Sequence, residues 1–254
     1  MEASAAEVIA AGLFGSVIGS FLNVVAWRVP RKESLVSPGS RCPHCGADVK
    51  PYDNVPVVSW LLLRGRCRNC GGPISPRYPL VELATALVFA AVVAVRGFDD
   101  DLVLELPFVS ALIALAAIDF DHKLLPNRIV YPMAVYGVIA TLIVDQGDLV
   151  ENLIAGAGAF LFLLLAVLAY PRGMGMGDVK LAGAMGLYLG LSIIPALLVA
   201  FLSGSVVGVV ILAREGAQAR KKAVPFGVFL ALGGIVGVLA GPELIDVYES
   251  NFLE

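Results

Sequence analysis

Apolar residues gather in eight runs along the chain, at about 6–27, 80–95, 102–120, 129–144, 149–170, 178–190, 193–213 and 224–241. Most approach the ~20 residues that a helix needs to cross the hydrocarbon core of a bilayer. In lipid each backbone polar group must be satisfied within its own segment, so the pattern predicts an all-α polytopic membrane protein with about eight transmembrane helices. The run at 178–190 is short and rich in glycine and alanine. Leu189-Gly190 and Pro195 predict a break after it, the alternative being a merger with the run that follows. Small residues recur inside the runs, as in Gly15-Ser16-Val17-Ile18-Gly19-Ser20 and Ser203-Gly204-Ser205, and read as close helix packing. No internal repeat of the kind that builds inverted-repeat transporters is evident.

One polar stretch interrupts the pattern for some fifty residues, which divides the chain into a first transmembrane helix (1–27), a cytoplasmic four-cysteine loop domain (28–79) and a multi-helix membrane domain (80–254). The chain is 254 residues long, 58% hydrophobic and only 15% charged, and its mean hydropathy of +0.85 excludes an ordinary soluble domain. A net charge of -3 gives no reason to expect a nucleic-acid partner, whereas the lipid bilayer is an obligatory one. Charge is segregated by loop. Taking alternate connections as lying on the same side, seventeen of the 18 Lys and Arg residues fall on one face and only Arg96 on the other. The basic face includes the whole 28–79 loop, Lys123, Arg128, Arg172, Lys180, Arg214, Arg220, Lys221 and Lys222. Its opposite holds Asp99, Asp100, Asp101, Asp145, Asp148, Glu151 and the acidic tail through Glu254. By the positive-inside rule both termini are expected outside and the cysteine loop in the cytoplasm. Met1 to Ala6 carries Glu2 and no basic residue, so the first run lacks the start of a cleavable signal and is expected to stay as a helix.

All four cysteines lie in that loop, as Cys42-Pro43-His44-Cys45-Gly46 and Cys67-Arg68-Asn69-Cys70-Gly71, with 21 residues between the pairs. Two C-x-x-C turns can close a tetrahedral thiolate shell around a structural zinc ion and leave no open position. A hairpin around Lys50 to Leu63 would absorb the long gap. Disulfides are the competing reading, disfavoured by the cytoplasmic placement. His44 reads as a loop residue rather than a fifth ligand.

Two further residue types are costly in such a chain. Asp178 follows the alternating glycines Gly173, Gly175 and Gly177, and Asp119 ends the apolar run 102–120. A carboxylate at the centre of a membrane helix costs roughly 2.5 to 3.5 kcal/mol, so each is a functional candidate. Both lie at cytoplasmic ends of their helices, which brings them to one depth. Two facing carboxylates that share a proton can activate water and polarise a carbonyl, the chemistry of peptide-bond hydrolysis. Gly175 and Gly177 remove side chains from the approach to Asp178 and leave room for an extended substrate. Asp121 competes with Asp119, but residues two apart on a helix point about 200° apart, and Asp121 is the closer to water. The residues alone also leave two other readings open: aspartates that merely pair with Lys180 and Arg128, and a transporter or metal carrier that uses them as ligands or proton relays.

These motifs, in order, resemble those of the type IV prepilin peptidases: Gly19-Ser20-Phe21-Leu22-Asn23-Val24-Val25 with Arg28 and Pro30, the two C-x-x-C pairs, Arg77-Tyr78-Pro79-Leu80-Val81-Glu82-Leu83-Ala84-Thr85, Ile118-Asp119 through Leu125-Pro126, Gly175-Met176-Gly177-Asp178-Val179-Lys180 and Pro225-Phe226-Gly227. The resemblance covers nearly the whole chain. It implies a bifunctional inner-membrane enzyme, an aspartic endopeptidase of the GxGD type, that cuts the basic leader from type IV prepilins and pseudopilins and methylates the new N-terminus. It places the catalytic pair on Asp119 and Asp178 and implies S-adenosylmethionine as methyl donor. Residues for the donor site stay unassigned, with Glu82 and Asn23 as polar candidates in apolar settings whose alternative roles are helix-end pairing and interhelical hydrogen bonding. Asn127 departs from the pattern, since many relatives carry an aspartate after Leu-Pro.

Overall fold

The computed structural model describes residues 3–144, 146–170, 174–216 and 224–252. Gly173 and the charged residues Glu2, Asp145, Arg172, Arg220, Lys221, Lys222 and Glu254, used above, lie outside them. The chain forms two compact units, Met1–Phe98 and Asp99–Glu254.

The first unit is a helical hairpin with a polar loop. Helix α1 (Ala5–Arg31) begins at Ser4, whose hydroxyl and backbone exchange hydrogen bonds with Glu7 in a capping box, and ends where Lys32 turns left-handed. The chain returns as α3 (Arg77–Arg96). The two helices run antiparallel: Gly12 faces Ala86 and Ala90, Gly15 faces Thr85 and Phe89, and Gly19 faces Glu82. A Cβ on Gly15 would lie 2.8 Å from the Thr85 carbonyl oxygen, so this close approach requires glycine. Between them the loop holds no hairpin at 50–63. It makes a 3-10 turn at Pro51–Asp53 and a short helix α2 (Val58–Leu62). Pro51, with its fixed φ and absent N–H, suits the first position of a helical turn and not a ladder. Two isolated antiparallel bridges, Arg41 with Asp48 and Arg66 with Pro73, are the β pairing among the described residues.

The second unit contains α4 (Leu102–His122), α5 (Asn127–Val144), α6 (Leu149–Ala169), α7 (Met176–Leu189), α8 (Ile193–Glu215) and α9 (Phe226–Phe252). Its core is apolar, built from Phe108, Leu112, Leu115 and Ile118 of α4, Leu181 and Met185 of α7 and Leu230 of α9, all fully buried. Phe108 stacks on Tyr188, whose hydroxyl donates to the Met133 carbonyl.

Among the described residues, seven segments are long and apolar enough to span a membrane, one of them the 40-residue stretch Met176–Glu215. As a single helix that stretch would extend about 60 Å, twice the hydrocarbon core. A 3-10 turn at Gly190–Ser192 divides it, with Gly190 at a positive φ of 50° that favours glycine. Packing on α9 then gives the direction of each half. Along α9, Gly227, Gly234 and Gly237 meet Leu125, Met185 and Leu189 in ascending order, whereas Gly204, Ala200, Ala196 and Ser192 of the α8 segment meet Phe229, Gly233, Gly237 and Gly241 in descending order. Hence α7 runs parallel to α9, α8 antiparallel, and the break is a reversal. Among the described residues the eight apolar runs thus form eight separate helices. The last apolar run ends at about 241, and the helix continues past it through Pro242 as α9 to Phe252. An internal proline forfeits one backbone bond and kinks a helix without obliging it to stop.

Candidate active site and metal centre

In the second unit the end of α4 and the starts of α7 and α9 converge. Helix α4 stops at Lys123, left-handed at a φ of 51°, whose N–H bonds back to the Asp119 carbonyl at 2.8 Å. The turn that follows buries Leu125 between two glycines: a Cβ on Gly177 would lie 3.1 Å from the Leu125 Cβ, and one on Gly227 2.8 Å from its Cδ2. Leu125 is therefore the wedge that registers three helix ends, a role the sequence did not reveal. Gly177 is packed against it; Gly175 is the exposed residue of the pair.

Asp178 stands in the first turn of α7 and accepts the Gly175 N–H through Oδ2 at 2.9 Å. Asp119, on the last turn of α4, faces the first turn of α9, where the N–H groups of Gly227 and Val228 point toward its carboxylate. Each acid thus sits at a helix N-terminus, where partial positive charge stabilises an anion. Asp119 and Asp178 are 5% and 8% exposed, and the two carboxylates lie within electrostatic reach of each other. Oδ2 of Asp119 is buried with no hydrogen-bond partner among the described residues. Such an oxygen is expensive unless a proton, a water or a substrate completes it. Asp121 is exposed, as its place nearer water implied. Neither Asp119 nor Asp178 forms an ion pair among the described residues. Lys180 instead donates to Asn127 at 3.3 Å and lies 5.4 Å from the Tyr131 ring centre, which removes it as the neutralising partner. The donors from α9 were missed because backbone groups carry no side-chain signature; Pro225, directly before the helix, was the available mark of an N-terminus.

In the first unit the cysteine turns form two matching knuckles. Cys42 donates its N–H to Ala47 and receives that of Gly46, and Cys67 does the same with Gly72 and Gly71. Gly46 and Gly71 have φ values of 71° and 69°, positions that favour glycine. One Sγ from each cysteine comes together, all four within 4.8 Å. The thiols are unbridged. Cys42 Sγ and Cys70 Sγ are 3.9 Å apart, matching the ~3.8 Å edge of a tetrahedron with ~2.3 Å Zn–S bonds. The donor set therefore fits zinc. Backbone N–H from Ala47, with the Asn69 amide, lowers Cys45 to about 6, and N–H groups of Cys70 and Asn69 lower Cys67. Cys70 receives the Gly72 N–H, but the neighbouring thiols and burial push it up to about 11. His44 lies over Gly72 and packs the knuckle. Asn23 donates to the Tyr78 carbonyl at 3.0 Å, and Glu82 accepts the Val57 N–H at 2.7 Å.

Comparison with known proteins follows this division. Residues 13–96 match the bacterial peptidase A24 N-terminal domain and residues 106–213 the type IV leader peptidase family. A prepilin leader peptidase/N-methyltransferase of Aeromonas hydrophila is 38% identical over 272 residues, covering 95% of this chain and 93% of that protein. The chain belongs to the prepilin leader peptidase/N-methyltransferase family. Another family member, from Pseudomonas aeruginosa, is 34% identical over 96% of this chain and 93% of its own length. One from Myxococcus xanthus reaches 40% over 80% of this chain and 63% of its own. No solved structure matches.

Proposed function

We propose that this chain removes the leader of type IV prepilins or pseudopilins at the cytoplasmic face of the inner membrane, through Asp119 and Asp178, and N-methylates the new terminus. The observation that carries the reading is the pair of buried aspartates held at the N-termini of α7 and α9 in a member of this family. The pair holds one proton between them. One carboxylate takes a proton from water as its oxygen attacks the scissile carbonyl, and the other protonates the carbonyl oxygen. Collapse breaks the C–N bond and returns the proton to the departing amine. S-adenosylmethionine, when bound, supplies an electrophilic methyl group for that amine. The orientation, with both termini outside and the cysteine loop and aspartates cytoplasmic, rests on the segregation of Lys and Arg.

A prepilin and S-adenosylmethionine incubated with the purified protein should give a mature pilin whose N-terminal mass is raised by one methyl group. An uncut prepilin would end the peptidase reading, and a cut, unmethylated one the second activity.

We further assign Cys42, Cys45, Cys67 and Cys70 to one structural zinc ion. Metal analysis should return about one zinc per chain, and a zinc-free protein with four dispensable thiols would refute the assignment. Zinc loading at pH 7 should release protons, that of Cys70 among them, because its thiol ordinarily stays protonated until about 11. Apparent zinc affinity should accordingly fall as the pH is lowered.

A further inference from the structure

The first unit encloses a cavity of about 830 Å³, within the ~300–1,000 Å³ range of small-molecule sites. Its polar lining is not incidental. Four of the buried polar side chains of this unit, Asn23, Arg28, Ser59 and Glu82, line it. Most charges around it are already paired. Arg41 meets Asp48 at 2.8 Å and Arg68 meets Asp53 at 2.6 Å, while Arg28 donates to the carbonyls of Ser34, Pro38 and Gly39. Glu33 and Lys50 are exposed on the loop. Glu82 is different: it is 8% exposed and forms no ion pair among the described residues. It accepts the Val57 N–H at 2.7 Å, and its other close polar neighbour, the Ser20 hydroxyl, is also neutral. Val57, which it holds, has a φ of 60°, a strained state for a β-branched residue and of the kind concentrated at ligand clamps. A buried carboxylate with no cation, facing a small-molecule cavity, calls for a cationic ligand.

We infer that this cavity is the methyl-donor site, with Glu82 as the counter-ion of the donor's sulfonium. The inference rests on the methyltransferase half of the proposed function and supplies the residues that half lacks. The donor combines an aromatic base, an amino-acid end and one cationic sulfur, and the cavity offers aromatic walls in Trp60 and Tyr78 and a lone buried acid. Cys42 and Cys67 also face it, so the metal centre forms part of its wall.

Both tryptophans of the chain, Trp27 and Trp60, line the cavity, and their emission reports occupancy directly. Full-length, zinc-loaded protein in detergent is titrated with sinefungin, which has an ammonium group near the sulfonium position, and with S-adenosylhomocysteine, whose sulfur is neutral. Both should shift the emission, sinefungin binding about tenfold more tightly through one charge pair. In Glu82→Gln the amide oxygen still accepts the Val57 N–H, and the preference should fall to within about twofold at unchanged zinc content. A preference that survives Glu82→Gln overturns the counter-ion assignment. Emission unmoved by either compound, in protein that methylates prepilin, places the donor elsewhere and leaves the function standing. Protein that neither binds nor methylates fails the functional reading itself. Emission that responds to a basic leader peptide and not to sinefungin gives the cavity to the substrate.

Discussion

Asp178→Asn is expected to lower leader cleavage by at least about a thousandfold while leaving a folded protein in the membrane. General acid–base groups contribute ~10²- to 10⁴-fold each, and a carboxyl that shares its proton with a partner is in both roles at once. Asparagine cannot exchange a proton, so the pair is broken even though the shape is kept. The fold should tolerate the change because an amide oxygen can still accept the Gly175 N–H that Asp178 now receives at 2.9 Å. Asp119→Asn should fall as far. An amide oxygen can still face the Gly227 and Val228 N–H groups, but the amide NH₂ has no proton to exchange. Because the two act as a unit, the double variant should be no worse than either single one. Single-turnover cleavage of a prepilin, followed by N-terminal mass, reads all three variants. Undiminished cleavage by either single variant removes that residue from the mechanism.

Gly186→Val should be severely damaging to the fold of the second unit. A Cβ at 186 would lie 2.6 Å from the Gly156 Cα and N. Both are backbone atoms, so no rotamer change relieves the clash, and α6 and α7 must separate. The loss should be on the order of 3 kcal/mol or more, the scale of severe overpacking. Since α7 carries Asp178, cleavage should fall with it. Gly158→Val on α6 is the matched control: nothing lies within 4 Å of its Cβ position, and it should be close to neutral. Unfolding midpoints of the two variants in the same detergent decide the matter; equal midpoints would mean that the helices do not meet at 156 and 186.

Much of this fold was legible because the bilayer simplifies the problem. An apolar run of membrane length has one structural solution, so the limits of α1 and of α3 to α8 fall close to the sequence expectations. The convergence of the helix ends that carry Asp119 and Asp178 was legible for the same reason: hydropathy fixes depth, and depth brings the two ends together. Where water or local chain chemistry decides, the reading was weaker. The stretch at 50–63 could be a hairpin or helical turns on pattern alone, and Pro51 decided it. The apolar run ends at 241, but the helix does not, because the more polar residues after it still bond to one another. The wedge at Leu125, the α9 donors to Asp119 and the strained Val57 were invisible because each is a matter of backbone position.

The reversal at Gly190–Ser192 leaves α7 only 14 residues, about 21 Å of helix, against a hydrocarbon core of ~30 Å. Of its residues only Met176 is exposed, so α7 is ringed by protein rather than by lipid, and the longer helices around it, not the bilayer, make up the shortfall. A helix this short among longer ones is expected to leave a recess at one of its ends, lined by protein, where water reaches membrane depth.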